Sequence, residues 1–242
     1  MNINEQKFED LVLSSAGRMD LWASAIASLS VNRMVEVGVW KGDFARHILE
    51  KCESIESYYM VDPWANLPDW KKPFNVDSQT FDAVYAEALK KTQFASSKVR
   101  VLRGRTKEVV EAIPDESLDF AYIDGDHTLR GITIDLISIL PKLKNGGLIA
   151  GDDLTPDVWQ HGAEFEPTMV CPFCIYFAEA MNLPFMALTH NQFLIQKVQD
   201  STFSFTDFTG LFSDISLNRP QKTRRGKPVS GLKRYLRKVL SA

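Results

Sequence analysis

The chain has 242 residues, of which 45% are hydrophobic, and its formal net charge is −3. This length suffices for one full hydrophobic core, the composition is typical of a globular protein, and no apolar run reaches the roughly 18 residues of a membrane span. The first ten residues are polar and acidic, unlike a secretory signal, and three cysteines form a sparse, odd set, so we expect a cytoplasmic protein.

Positive charge is concentrated near the carboxyl terminus, where residues 222–238 contain eight Lys or Arg and no acid. The rest of the chain is therefore acidic, which does not favour nucleic-acid binding. The apolar residues of this tail would share one helical face: Leu232, Tyr235, Leu236, Val239 and Leu240. We expect this basic amphipathic helix to fold back on the acidic body or on a second subunit in a homo-oligomer, and peripheral membrane contact is the alternative.

Predicted helices and strands alternate along most of the chain, which is the signature of an α/β fold. Two short helices within residues 4–30 are expected to cap one edge of the core. The predicted strands are 34–37, 58–61, 99–102, 118–123, 147–150, 185–189 and 193–195. The predicted helices between and after them are 42–52, 81–89, 106–112, 128–140 and 173–181. The last two strands are separated by a hairpin-length connection, so we expect them to pair antiparallel.

Two stretches without periodicity, 63–77 and 154–170, are predicted to be loops. The first contains Trp64, Trp70 and Phe74, so it is a candidate lid over a ligand, or else it packs against the N-terminal helices. The second contains further aromatic and titratable residues: Trp159, His161, Glu164 and Glu166. Cys171 and Cys174 form a C-x-x-C pair without a second pair to complete a zinc site, so we interpret them as buried structural thiols.

Carboxylates follow two of the predicted strands. Asp124 comes directly after strand 118–123, and Asp152 and Asp153 come after 147–150. Because parallel strands end at one edge of a sheet, we expect these side chains to converge where such sheets bind ligands. Converging carboxylates repel unless a cation or a proton lies between them, so the pattern predicts a divalent ion or a strongly raised pKa. Acids that merely cap turns are the alternative.

The first predicted strand carries the order Glu36-x-Gly38-x-x-x-Gly42. Such glycines let the backbone approach a ligand closely and turn into the following helix. The dinucleotide form G-x-G-x-x-G is absent, which disfavours a hydride-carrying cofactor. Asp62 ends the second strand some 20 residues after Gly42, a position that suits bidentate hydrogen bonding to ribose hydroxyls.

In this order the chain resembles the class I S-adenosylmethionine-dependent methyltransferases over roughly residues 30–198. The segments that carry the resemblance are 35–42, 61–62, 122–127 and 146–153. Within that superfamily it is most similar to metal-dependent O-methyltransferases of natural-product sugars, the macrocin type, and of catechols. The resemblance implies a Rossmann-like sheet of seven strands, mostly parallel with an antiparallel last strand, and helices on both faces.

The resemblance also implies a division of roles among residues. The implied cofactor-binding residues are Glu36, Gly38, Trp40, Gly42, Asp62, Gly104, Arg105 and Asp124. The implied Mg²⁺ ligands are Asp124, Asp152 and Asp153, and His127 falls where the family places its general base; its alternatives are a helix cap or a surface residue. We expect an N-terminal cap (1–30), a methyltransferase domain (31–199) and a C-terminal extension (200–242).

The expected activity is transfer of a methyl group from S-adenosylmethionine to a hydroxyl of a small sugar or polyol-like molecule. A bound Mg²⁺ would orient and acidify that hydroxyl. Two alternatives stay open at this point. One keeps the fold but drops the metal and changes the nucleophile, and the other is a non-catalytic module that binds the cofactor or a membrane.

Overall fold

The computed structural model describes residues 5–162 and 164–212. The predicted basic helix in 222–238 therefore lies outside the described residues. The helices are α1 Glu5–Ser14, α2 Arg18–Ser28, α3 Asp43–Lys51, α4 Ser78–Thr92, α5 Thr106–Val109, α6 Leu129–Ile139 and α7 Val170–Ala180. The strands are β1 Arg33–Val37, β2 Ser57–Asp62, β3 Val99–Arg103, β4 Leu118–Ile123, β5 Leu143–Gly151, β6 Pro184–Leu188, β7 Gln192–Gln196 and β8 Ser204–Asp207.

The strands form one sheet in the order β3-β2-β1-β4-β5-β7-β6-β8. Strands β1 to β5 are parallel, and β7 is antiparallel to both β5 and β6. The predicted α/β architecture, with a mostly parallel sheet and a reversed strand near its end, is confirmed. The sheet has eight strands rather than the predicted seven, because β8 pairs parallel with β6 beyond residue 199.

Strand β8 is short, which explains why its sequence predicts no element. Its four residues alternate between exposed and half-buried positions. Phe205 supplies the main contact, with its ring stacked on Phe185 at 5.5 Å between centroids. A strand that buries little surface depends on its neighbour in the sheet for stability more than on its own pattern.

The order in which strands are added to the sheet changes direction at β1: β2 and β3 lie on one side of it, and β4 and β5 lie on the other. Ligands of open α/β sheets bind outside the carboxyl ends of the strands at such a switch point. Hydrogen bonds carry the pairing just past the strand ends, from Gly38 N to Val61 O at 2.9 Å and from Asp124 N to Val37 O at 2.8 Å. These bonds fix the backbone at the edge where the predicted site lies.

The two N-terminal helices are part of the main core. Leu21, Trp22 and Ile26 of α2 are fully buried. They belong to the same apolar cluster as the residues on one face of β1. The Trp22 ring packs edge-on against Phe120 and Tyr122, with centroids 5.6 and 6.1 Å away. This packing sets the start of α2 above the carboxyl edge of β4 and β5.

Within residues 5–162 and 164–212, none of the helices combines the length and the apolar character needed to cross a membrane. Cys171 and Cys174 are free thiols at the start of α7. Burial raises the pKa of Cys171 to about 12 and that of Cys174 well above its ordinary value. Cys174 is buried, as the structural interpretation expects, whereas Cys171 is only half-buried. The raised pKa values favour the protonated thiol at both positions.

Candidate active site

Gly38 sits at the centre of the carboxyl edge in a conformation that favours glycine. Its φ is +90°, and a Cβ placed there would lie 2.1 Å from the carbonyl oxygen of Asp124. The loop after β1 therefore runs directly against the backbone that follows β4. Gly42 has φ +75° just before α3, where a Cβ would lie 3.0 Å from Ala88. Gly38 therefore brings the backbone close together at the sheet edge, and Gly42 lets α3 pack closely against α4.

Asp62, at the end of β2, holds the loops on both sides of it. Its Oδ2 accepts from Trp40 N at 2.9 Å and its Oδ1 from Trp64 N at 2.7 Å. Both tryptophans have left-handed backbones, with φ of 51° and 40°. Burial raises the pKa of Asp62 to about 6, although these hydrogen bonds lower it. Each carboxylate oxygen keeps a second lone pair, so ribose hydroxyls fit as further donors.

The other predicted cofactor residues near β1 are more deeply placed. Glu36 is buried and accepts from the Tyr58 hydroxyl at 2.7 Å. Burial raises the pKa of Glu36 well above its ordinary value. The Trp40 ring packs between Phe74 and Phe81, at 5.5 and 5.9 Å. Trp40 therefore presents its backbone to the site, while its ring supports the aromatic loop.

Gly104 and Arg105 follow β3 on the side of Asp62. Gly104 N donates to Asp62 O at 3.0 Å. The Arg105 guanidinium turns to the aromatic loop, where it pairs with Asp69 at 2.5 Å, and Arg130 pairs with the same carboxylate at 2.6 Å. These two arginines hold the pKa of Asp69 well below its usual range. Arg105 thus anchors the predicted lid in this structure.

The predicted acids and histidine do converge. His127 Nδ1 lies 2.6 Å from Asp153 Oδ2, and His127 Nε2 lies 3.4 Å from Asp124 Oδ1. The Asp152 Oδ1 atom accepts from Asp153 N at 2.8 Å, and Asp153 has a left-handed φ of 63°. A left-handed non-glycine residue beside such a cluster is a common feature of functional sites. Thr128 caps α6 through Gly131 N at 3.1 Å, which fixes His127 just before the helix.

The protonation of His127 follows from these contacts. Burial lowers its pKa, but the hydrogen bond between Nδ1 and Asp153 and the negative charges of Asp124 and Asp153 raise it by more, to about 10. Nε2 is buried and has no hydrogen-bond partner among the described residues, since Asp124 Oδ1 is 3.4 Å away. The imidazole is therefore charged at neutral pH in this arrangement. The neutral imidazole that a general base requires is therefore the minor form at neutral pH, and its share grows as the pH rises.

A cation does lie between two of the acids, and it is a side chain. Arg18 Nη1 donates to Asp124 Oδ2 at 2.9 Å and also to Asp152 Oδ2. Among residues 5–162 and 164–212, no group of three or more His, Cys, Asp or Glu side chains is arranged to hold a metal ion. The predicted Mg²⁺ ligands Asp124, Asp152 and Asp153 converge as expected, but their oxygens face nitrogen donors. As arranged, they do not fit a divalent ion.

Three residues of this edge have no signal in the sequence pattern: Arg18, Lys72 and Gln192. Trp70 Nε1 donates to Asp126 Oδ1 at 2.9 Å. The buried Lys72 ammonium donates to Thr168 at 3.1 Å and joins the two predicted lid loops. Both loops therefore close over the edge together.

The chain is similar to known proteins in sequence and in fold. Residues 35–154, about half of the chain, match the model of a methyltransferase-domain family, Methyltransf_24. No curated protein matches the sequence. The chain has a fold similar to those of several solved structures, three of which are compared with it below by identity, coverage and TM-score.

The first is a candidate caffeoyl-CoA O-methyltransferase from Staphylococcus aureus, 14% identical over 81% of this chain and 93% of that one, with a TM-score of 0.55. The second is a candidate O-methyltransferase from Klebsiella pneumoniae, 16% identical over 81% of both chains, with a TM-score of 0.53. The third is the methyltransferase PaMTH1 from Podospora anserina with S-adenosylhomocysteine bound, 15% identical over 81% of this chain and 88% of that one, with a TM-score of 0.52.

The fold is an open α/β sheet whose strand order switches at β1, the place where such sheets bind ligands. With the family match over 35–154, the protein is a class I S-adenosylmethionine-dependent methyltransferase.

Proposed function

We propose that the protein transfers the methyl group of S-adenosylmethionine to a hydroxyl oxygen of a small sugar or polyol-like molecule. The observation that carries the proposal is the convergence, just past the strand ends, of a glycine-lined backbone at Gly38 and a cluster of charged groups around His127. A cluster of hydrogen-bonding groups at a ligand edge suits an acceptor with several hydroxyls.

The cofactor half of the proposal uses the residues that line the edge from β1 to β4. Gly38 and Gly42 would admit the methionine part, and Asp62 would accept hydrogen bonds from the ribose hydroxyls. Gly104 lies beside Asp62, where the adenine would follow. Glu36 would support this edge from below through Tyr58, and the Asp124 backbone would form its wall.

The bound cofactor supplies an electrophilic methyl group on a sulfonium. His127, once neutral, accepts the proton of the acceptor hydroxyl while that oxygen bonds to the methyl carbon and the sulfur–carbon bond breaks. General-base help of this kind contributes about 10²–10⁴-fold. Holding both reactants in line contributes further, and the two loops exclude water. Mg²⁺ assistance is not part of the proposal, because Arg18 lies between Asp124 and Asp152.

The oxygen acceptor follows from the resemblance described above, and two of the structural neighbours are described as candidate O-methyltransferases. The test is to incubate the protein with S-adenosylmethionine and separate panels of sugars, polyols, catechols and amines. Release of S-adenosylhomocysteine and a methylated product by mass spectrometry are the readouts. We expect methylation in the sugar or polyol panel.

A matched pair of variants links the activity to the site. Asp62→Ala is expected to lose cofactor binding in calorimetric titration with S-adenosylhomocysteine. Asp82→Ala removes an exposed carboxylate whose side chain is 71% accessible, and should bind normally. Methyl transfer to amines alone would overturn the oxygen-acceptor proposal.

A further inference from the structure

The start of helix α2 places a guanidinium at the position expected for a metal ion. Arg18 Nη1 donates to carboxylates that follow two neighbouring strands, Asp124 after β4 and Asp152 after β5. Asp124 Oδ2 and Asp152 Oδ2 both point at this nitrogen, as they would point at a divalent ion bound between the two carboxylates. One fixed positive charge therefore relieves the repulsion that the sequence pattern predicts.

The placement of Arg18 has a local energetic cost that the two carboxylates offset. Arg18 is the first residue of α2, where the helix dipole disfavours a cation. Charge-assisted hydrogen bonds to two carboxylates oppose this effect. The side chain is partly exposed, at 36%, so solvent screens both the dipole and the ion pairs.

Other contacts lock the same segment onto the same carboxylate. One turn after Arg18, Trp22 Nε1 donates to Gln192 Oε1 at 2.7 Å. The amide of Gln192 then donates to Asp152 Oδ1 at 2.5 Å. Ahead of the helix, the Ser15 carbonyl lies 3.0 Å from His190 Nε2. The helix start that carries Arg18 is thus tied to β7 and to Asp152 through buried Trp22 and Gln192.

The remaining carboxylate oxygens of the cluster are also engaged. Asp124 Oδ1 and Asp153 Oδ2 face His127, and Asp152 Oδ1 accepts from Gln192 and from Asp153 N. Mg²⁺ demands near-octahedral oxygen coordination at about 2.0–2.1 Å. In this cluster the carboxylate oxygens point at nitrogen atoms instead, so they are not arranged around a position that an ion could occupy.

We propose that Arg18 is the built-in cation of this active site, so that cofactor binding and methyl transfer need no divalent metal. Arg18 is a positioning residue: its hydrogen bonds hold the Asp124 and Asp152 side chains in place at the edge where the acceptor would lie. Unlike a metal, a guanidinium gives directed hydrogen bonds without acidifying a hydroxyl by coordination. The statement about methyl transfer rests on the proposed function, whereas the statement about metal binding does not.

The direct test is metal binding, with MnCl₂ followed by electron paramagnetic resonance and MgCl₂ by calorimetry, each with S-adenosylhomocysteine present. The wild-type protein should show no saturable binding. Arg18→Ala uncovers two converging carboxylates, so it should gain a saturable site at least roughly tenfold tighter than any wild-type binding. Arg18→Ala combined with Asp152→Asn should lose that site again.

Two further variants keep the test independent of folding defects. Arg18→Met retains the apolar stem and should gain the same site if Arg18→Ala proves unstable. Arg46→Ala removes an exposed arginine paired with Glu50 at 2.7 Å and should behave like wild type. Saturable Mg²⁺ or Mn²⁺ binding by the wild-type protein, or no gain in a folded Arg18 variant, overturns the proposal.

Activity separates this proposal from the proposed function. Turnover that persists in excess chelator supports Arg18 as the cation. Turnover that chelator abolishes and Mg²⁺ restores overturns the Arg18 proposal but leaves the methyltransferase function intact. Failure to methylate any hydroxyl overturns the proposed function, and the metal-binding measurements still decide on Arg18.

Discussion

Trp22 and Gln192 lie 170 positions apart in the chain, and a hydrogen bond of 2.7 Å joins the indole Nε1 to the amide Oε1. The same oxygen accepts from the Tyr122 hydroxyl at 3.0 Å, and Gln192 Nε2 donates to Asp152 and to the His190 carbonyl. Gln192 is fully buried, so its amide uses both donors and both acceptor sites. This residue couples helix α2 to the acid cluster.

Replacing Gln192 with Leu should destabilise the protein by about 2–5 kcal/mol, because Trp22 and Tyr122 would each keep a buried donor without a partner. Urea unfolding measures the change. Ser57→Ala is the matched control, since Ser57 Oγ is buried without a hydrogen-bond partner among the described residues. Its removal should change the stability by no more than about 0.5 kcal/mol. Equal losses in the two variants would contradict the role assigned to Gln192.

Gly38→Ala should both destabilise the fold and abolish cofactor binding. The new Cβ would lie 2.1 Å from the Asp124 carbonyl oxygen at a φ of +90°, a combination that costs roughly 2–4 kcal/mol. Thermal unfolding and titration with S-adenosylhomocysteine provide the readouts. Gly17→Ala is the control, because nothing lies within 4 Å of its Cβ position. Wild-type affinity in Gly38→Ala would show that this loop does not line the cofactor site.

The pH dependence of turnover should report on His127. Its pKa is about 10. At lower pH, the fraction of neutral imidazole that can act as a base therefore grows about tenfold for each unit by which the pH rises. We therefore expect kcat/KM to rise steadily from pH 7 to pH 9 in the wild-type protein. His127→Gln should be slower by about 10²–10⁴-fold and nearly flat with pH. A wild-type plateau already at pH 7 would exclude this ionisation as the controlling one.

Asp135, buried in α6, should make stability depend on pH. Burial raises its pKa to about 7, opposed by a hydrogen bond from Thr106. Between the ordinary value of 3.8 and about 7 the folded protein binds a proton that the unfolded chain has lost, so stability falls as pH rises through that window. The decline is on the order of a few kcal/mol. Asp135→Asn should remove it.

Urea unfolding of wild type and Asp135→Asn at pH 5 and pH 7.5 isolates this group, since other titrations are shared by both proteins. The variant should gain relative stability at the higher pH. A difference that is the same at both pH values would mean that Asp135 is not protonated in the folded state.

Much of the fold can be predicted from the sequence where a segment's pattern agrees with its packing. Strand β4 is predicted over its full length, Leu118–Ile123, because a buried apolar run ends at turn residues. Strand β5 starts at Leu143, four residues before the prediction. The Gly146-Gly147 pair looks like a turn, but hydrogen bonds to Lys197 at 2.6 and 2.8 Å keep it in the sheet.

The site is predictable from the sequence only in part, because some of its contacts join residues that no sequence pattern links. The carboxylates follow strand ends, so their convergence is implied by the parallel sheet. Arg18 reaches them from 106 and 134 positions away, and no spacing rule links a helix start to distant strands. The sequence therefore indicates that a cation or a proton must lie between the carboxylates, but not that the chain itself supplies the cation.

The long sequence separation between α2 and β7 has a consequence for the making of the protein. On the ribosome, α2 emerges well before β4, β5 and β7, so Trp22 and Arg18 lack their partners from the sheet until at least half of the chain has been made. Such distant pairings slow folding and leave apolar surface open to aggregation. A nascent chain halted before residue 118 would therefore expose the indole of Trp22 and the guanidinium of Arg18 without these partners.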